Sequence, residues 1–93
     1  MPEFRKNTAE QRYEILESSQ VVGHITYEAA AEGVVDLTHT EIDPSQQGKG
    51  LGGLLVGYAL GDIRALGARA IPTCTFIAKY MDEHPEVASL RAP

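Results

Sequence analysis

Hydrophobic and polar residues alternate through the first part of the chain and then shift to a helical period. From Gln11 to Glu17, Tyr13 and Ile15 stand against Arg12 and Glu14, the period of two expected of a half-buried strand. Ser18-Ser19-Gln20 is a polar turn, and Val21 to Ala29 is rich in β-branched and aromatic residues, which predicts a second strand joined as a hairpin. After a turn at Ala30 to Gly33, Val34 to Ile42 reads as a third strand, completing a meander. Asp43-Pro44-Ser45 stops it, because Pro44 has no amide donor and fixes φ. Behind a glycine-rich stretch, Leu51, Leu54, Leu55, Tyr58, Ile63 and Leu66 recur at helical spacing, with Gly67 as C-terminal cap. Ala68 to Thr75 is predicted as a fourth strand, Phe76 to Asp82 as a short helix, and Val87 to Leu90 as a last turn after His84-Pro85-Glu86. The order is β-β-β-α-β-α, an α+β mixed sheet. A strand that returns through a helix lies parallel to its predecessor. The gap between the third and fourth strands, opening on the glycine stretch, is therefore the expected ligand site.

Composition narrows the classes open to such a chain. Ninety-three residues, 43% hydrophobic and 23% charged, suit one domain spanning residues 1–93 with its core over about 11–90. A chain this short buries only about 60–65% of its unfolded surface, so the core is small. Eight basic against thirteen acidic residues give a net charge of −5, the wrong sign for a general binder of nucleic acid or anionic membrane. The single cysteine, Cys74, cannot make an internal disulfide, and no apolar run approaches the ~20 residues of a membrane span. A cytoplasmic protein is expected. No metal is expected either, since zinc normally takes close-spaced Cys and His ligands.

The glycine loop carries the strongest chemistry. Gln47-Gly48-Lys49-Gly50-Leu51-Gly52-Gly53 lies between a strand end and a helix start, where unpaired amides and the positive end of the helix dipole converge. Glycines let the backbone approach a phosphate closely. The spacing matches neither a Walker A loop nor a dinucleotide-binding fingerprint. By itself the stretch reads equally as a flexible connection or as a phosphate cradle.

Its context resembles a known family. Gln47 to Gly52 fits Gln/Arg-x-x-Gly-x-Gly/Ala, the pyrophosphate loop of the GNAT N-acetyltransferase superfamily. With His39-Thr40-Glu41-Ile42, Gly67, Pro72-x-Cys74-x-Phe76, Tyr80 and His84-Pro85-Glu86, the chain from about Val21 to Leu90 closely resembles the small N-acetyltransferase-like proteins of that superfamily. The resemblance implies a minimal GNAT-like sheet whose parallel strands splay around acetyl-CoA. It implies that the amides of Gln47, Gly48, Lys49, Gly50, Leu51 and Gly52 take the pyrophosphate. The pantetheine arm would pair with backbone around Glu41 and Ile42 like an added strand. Cys74 is then a candidate acyl-accepting nucleophile, and Tyr80 resembles the tyrosine that protonates the departing thiolate. Phe76 and Lys79 are further candidates for coenzyme contact, as is Arg64 for the phosphates.

The other readings are less chemical. His39 and Glu41 share one strand face, so either is a candidate general base for an amine, or the pair is a hydrogen-bonded histidine beside a solvated carboxylate. His84 before Pro85 reads as a helix stop with a side-chain hydrogen bond, and His24 carries no motif. Without the family pattern Cys74 is a small buried hydrophobe. Gly53, Gly57 and Gly61 form a stripe on one helix; each costs up to ~1 kcal/mol against alanine, which predicts close approach to the sheet or a partner. Larger superfamily members place helices between their first two strands, and this sequence has none to help build an acceptor site. The function expected is acetyl transfer from acetyl-CoA to an amine, on a small molecule or a protein, by a monomer or weak homodimer. The alternatives are a non-catalytic acyl-CoA-binding or sensing module and an interaction domain without a ligand.

Overall fold

The computed structural model describes residues 2–93. Five strands form one sheet in the order β1-β2-β3-β4-β5: Glu3–Asn7, Arg12–Glu17, Gln20–Ala31, Val34–Ile42 and Arg69–Ile71. Helix α1, Leu51–Ala65, crosses from β4 to β5, and α2, Thr75–Glu83, follows β5. The first four strands pair antiparallel, and β4 and β5 pair parallel, as the pattern predicts.

Two differences from the sequence reading concern the ends of the sheet. A strand precedes the expected first one: β1 pairs with β2 in the register Phe4↔Ile15 and Lys6↔Tyr13. It is an edge strand carrying Arg5 and Lys6, the kind of charged edge that resists further pairing. At the other end, β5 stops at Ile71, before the predicted Thr75. Pro72 ends it, and the Thr73 amide donates to the Ile71 carbonyl at 3.0 Å across the turn. Cys74 therefore belongs not to the strand but to the N-cap of α2.

The turns follow their residues. Ser18 and Ser19 both have positive φ, 49° and 66°, the two-residue geometry whose twist suits a hairpin. Gly67, at φ 68°, closes α1: its amide donates to Arg64 O at 3.0 Å, and that of Ala68 to Ile63 O at 3.0 Å. This is the paired-bond helix end for which glycine is preferred.

All the helices pack on one face of the sheet. Tyr13, Ile15, Ile25 and Leu37 from the strands meet Leu55, Ala59, Leu60 and Ile63 of α1 and Ile77 and Met81 of α2, all buried. The Tyr13 hydroxyl donates to Asp62 at 2.8 Å, and Lys6 pairs with the same carboxylate at 2.9 Å, tying β1 and β2 to α1. Burial and the neighbouring Asp62 both push the Tyr13 hydroxyl above its ordinary range. The opposite face carries no helix. There Glu14 is fully buried, covered by hydrogen bonds from Arg5 at 2.7 Å, Arg12 at 2.6 Å and Asn7 at 3.2 Å. Burial raises this carboxyl, but the bonds from Arg12, Arg5 and Asn7 outweigh it and hold it below the usual carboxylate range. Among the described residues no helix is long and apolar enough to cross a membrane.

Candidate active site

The parallel strands separate after three paired residues, Val34↔Arg69 to Asp36↔Ile71. The separation is pinned on both sides. Thr73 Oγ1 donates to Asp36 at 2.5 Å, and the Cys74 amide donates to Leu37 O at 3.0 Å. Beyond Leu37 the edge of β4 has no strand partner among the described residues, and a cleft of about 370 Å³ opens there. Thr40 and Ile42 form its β4 wall, Phe76 its α2 wall, and the glycine loop its mouth.

A bulge decides which β4 side chains face the cleft. Thr26 pairs with His39 but Tyr27 pairs with Leu37, leaving Thr38 as an extra residue. The insertion reverses the alternation, and cross-strand partners share a face. Thr40 stands opposite Ile25 and Ile42 opposite Gly23, on the helix side with Leu37. His39 stands opposite Thr26 and Glu41 opposite His24, on the uncovered face. His39 and Glu41 do share a face, 3.5 Å apart and 60% and 65% exposed, but the structure does not bring them to the cleft. Glu41 instead borders a shallower hollow of about 300 Å³ with His24 and Asp43. Burial first, and then Arg12, lower the pKa of His24.

Backbone direction corrects one expected coenzyme contact. The Asp43 amide donates to Val22 O of β3 at 2.7 Å, whereas the Ile42 carbonyl accepts from Gln47 Nε2 at 3.3 Å. Alternation along the strand thus turns the peptide groups of Thr40 and Ile42 to the free edge and those of Glu41 to β3. An added strand would pair with Thr40 and Ile42.

The glycine loop begins with a short 3-10 turn, Pro44–Gln46, capped by Asp43 Oδ1, which accepts from the Ser45 amide at 3.0 Å and its hydroxyl at 2.9 Å. Those bonds hold the Asp43 carboxyl below its ordinary range. Gly48 and Gly50 then take φ 85° and 75°, a region open to glycine at no steric cost. Gly50 is the N-cap of α1 and has no capping side chain. Among the described residues the amides of Gly48, Lys49, Gly50, Leu51, Gly52 and Gly53 have no protein acceptor. They sit at the positive end of a fifteen-residue helix, a ready anion site. The Gln47 amide is different: it is turned toward Pro44 O at 3.4 Å, so the free donors start one residue later than expected.

The expected cations do not gather here. Lys49 Nζ folds back onto Gln46 Oε1 at 2.8 Å. Arg64 lies in the last turn of α1 and donates to Glu86 O at 2.9 Å. At 1.5 Å per residue it is roughly 20 Å from the loop, too far for the phosphates it was expected to reach. Lys79 is exposed on α2 and does not line the cleft.

Cys74 lies just behind the cleft wall, its Sγ 3.4 Å from Thr40 Oγ1. Burial raises the thiol, but hydrogen bonding with Thr40 and with the Ile77 and Phe76 amides at the start of α2 outweighs it, and the pKa is lowered. The thiol is thus half-buried at the N-terminal end of a helix, a position that favours its thiolate. Thr40 was not among the expected site residues, although it stands in the His39-Thr40-Glu41-Ile42 run on which the resemblance rests.

Two of the three stripe glycines, Gly53 and Gly57, face the second helix rather than the sheet, as does the neighbouring Gly52. A Cβ on Gly52 would lie 2.9 Å from the Phe76 ring, one on Gly53 3.9 Å from the Tyr80 ring, and one on Gly57 3.4 Å from the Tyr80 hydroxyl. Phe76 and Tyr80, one turn apart on α2, rest on these bare positions. Gly61 meets nothing within 4 Å. Tyr80 itself stands behind Gly53 and does not line the cleft. Among the described residues no group of three or more His, Cys, Asp or Glu side chains is placed to hold a metal.

A glycine-mouthed cleft between splayed parallel strands is the feature the family resemblance anticipated, and comparison with known proteins agrees. The model of the GCN5-related N-acetyl-transferase family matches residues 12–90, and the chain belongs to that family. It is 34% identical over 61 residues to protein NATD1 of Gallus gallus and of Homo sapiens, covering 66% of this chain. The match spans only 56% and 54% of those relatives' length. Among solved structures, a GCN5-like protein from Staphylococcus aureus shares the fold with a TM-score of 0.75 at 18% identity, over 97% of this chain and 87% of that one. A GNAT family acetyltransferase from Brucella melitensis, solved in complex with acetyl-CoA, aligns with a TM-score of 0.59 at 27% identity, over 74% of this chain and 50% of its own.

Proposed function

We propose that this protein binds acetyl-CoA and transfers its acetyl group to an amine, with Cys74 as the first acceptor. The observation that carries the reading is the continuity of the cleft: free loop amides at its mouth, the unpaired β4 edge along its wall, and Cys74 behind Thr40 at its inner side. The amides of Gly48 to Gly53 suit a pyrophosphate, which reconciles an anionic ligand with a chain of net charge −5. The peptide groups of Thr40 and Ile42 suit the amides of a pantetheine arm. The Brucella protein's complex with acetyl-CoA supports the choice of ligand.

Bound acetyl-CoA supplies an activated acyl group. The Cys74 thiolate attacks the thioester carbonyl, a carbon–sulfur bond to Cys74 forms, and the bond to the coenzyme sulfur breaks. Tyr80, set back from the cleft behind Gly53, passes its proton to the departing thiolate through an intervening water and regains one from solvent. An amine then attacks the Cys74 thioester carbonyl, and its carbon–nitrogen bond forms as the bond to Cys74 breaks. Its surplus proton passes to solvent, and the Cys74 thiolate is returned. A free, activated thiol suits a reducing compartment, and the cytoplasm is the proposed location.

One observation favours a second reading, a non-catalytic acyl-CoA-binding module: His39 and Glu41, the candidate bases, face away from the cleft. Incubation with acetyl-CoA followed by mass spectrometry decides between them. We expect one acetyl group on Cys74, discharged by added amine and missing in Cys74→Ala. Coenzyme binding by calorimetry without acetylation or turnover would establish the module, and no binding at millimolar coenzyme would overturn both.

A further inference from the structure

His84 was expected to stop a helix and make a side-chain hydrogen bond; its ring also stacks on Tyr80. Pro85 disfavours helical geometry in the residue before it, and His84 leaves the helix at φ −126° and ψ 88°. Its side chain folds back over the last turn of α2 onto Tyr80, four residues earlier. The two rings stack with centroids 3.8 Å apart and planes within 13°. A second contact fixes the same pair. His84 Nδ1 lies 2.7 Å from the Tyr80 carbonyl. A carbonyl oxygen only accepts, so Nδ1 carries the proton. That carbonyl is one of those a helix end leaves without an intrahelical partner, because the His84 amide goes instead to Met81 O at 3.4 Å.

Helix α1 also approaches the Tyr80 ring. Gly53 and Gly57 set the contact, at 3.9 Å from Cε2 and 3.4 Å from the hydroxyl for a Cβ placed there. The ring thus has the His84 imidazole on its face and bare α1 backbone near its edge and hydroxyl. Its hydroxyl has no protein partner among the described residues, so its proton is not committed.

We infer that His84 is a positioning residue for Tyr80, holding the ring against α1 so that the hydroxyl keeps one place as proton donor to the departing thiolate. This rests on the acetyl-transfer reading and adds to it a residue that touches neither coenzyme nor Cys74. Stacking fixes the ring plane, and the Nδ1–H bond fixes the imidazole that does the stacking. A proton donor free to swing loses the advantage of a prearranged geometry.

The test compares steady-state acetyl transfer and calorimetric coenzyme binding in the whole chain with His84→Ala, His84→Phe, Tyr80→Phe and the double variant His84→Ala/Tyr80→Phe. Tyr80→Phe should lower kcat by about a hundredfold, the scale of a general acid. His84→Ala should lower kcat roughly tenfold while KM and coenzyme affinity stay within about twofold. His84→Phe, which keeps the stacked ring, should recover most of that loss. The double variant should be no slower than Tyr80→Phe alone, because two residues acting through one proton are not additive. Unchanged kcat in His84→Ala beside a slow Tyr80→Phe would overturn the inference and leave acetyl transfer standing. Multiplicative losses in the double variant would also overturn it. Failure of the unaltered protein to transfer acetyl at all would overturn both. Should His84→Ala not fold, nuclear Overhauser contacts between the Tyr80 and His84 rings of the unaltered protein give a second check: without them the clamp does not exist.

Discussion

Cys74 Sγ lies 3.4 Å from the Thr40 hydroxyl, across the gap where β4 and β5 part. The contact joins the one thiol of the chain to the strand that walls the cleft. Burial pushes the thiol up, and Thr40 is the largest of the influences that bring it down.

Thr40→Val keeps the shape and removes the hydroxyl that bonds the thiol, so it should move the thiol upward. Alkylation of Cys74 by iodoacetamide, followed against pH, should have its midpoint below the ~8.5 of a free cysteine in the unaltered protein. The midpoint should rise in Thr40→Val, with slower labelling at pH 7. An identical midpoint in both would show that Thr40 does not tune the thiol.

Gly57 and Gly61 stand one turn apart on α1 and should respond differently to alanine. Gly61 meets nothing within 4 Å, so Gly61→Ala should stabilise the fold by about 1 kcal/mol through helix propensity alone. In thermal unfolding that is a rise of roughly 4–8 °C for a domain of this size, with coenzyme binding and turnover unchanged. Gly57→Ala gains the same propensity but places a methyl 3.4 Å from the Tyr80 hydroxyl. It should leave stability near that of the unaltered chain and lower kcat. Equal effects of the two variants on turnover would contradict the assignment of the stripe to Tyr80.

Glu14 should give the fold an acid limb. Its pKa is lower folded than unfolded, so its contribution is complete above the unfolded value of about 4.3. The contribution is lost as pH falls through the folded value. Glu14→Gln should cost roughly 1.5–3 kcal/mol at pH 7, the worth of hydrogen bonds to a charged group, and flatten the fall in stability below about pH 4.3. Urea unfolding from pH 7 down to pH 3 measures both. A variant as stable as the parent at pH 7 would mean that Arg5 and Arg12 are as well satisfied by water.

Local chemistry determined much of this protein. The period of two in Arg12 to Glu17, the proline after Asp43, the glycines at 48 and 50 and the Gly67 cap each act within a few residues, so the sequence reveals them directly. The mixed sheet and the position of the glycine-lined mouth of the cleft follow from those signals. Tertiary structure alone decided the rest. The strand Glu3–Asn7 has one apolar residue, Phe4, whose worth as a strand residue comes from stacking on Tyr58 at 5.0 Å. The extra residue at Thr38 turns Thr40 inward and His39 and Glu41 outward, and no alternation read along β4 alone reveals it because a bulge exists only relative to the facing strand. The bare positions on α1 acquire their purpose only when α2 lays Phe76 and Tyr80 against them. Periodicity and turn chemistry are properties of neighbouring residues; register and face are properties of pairs that meet only after the chain has folded.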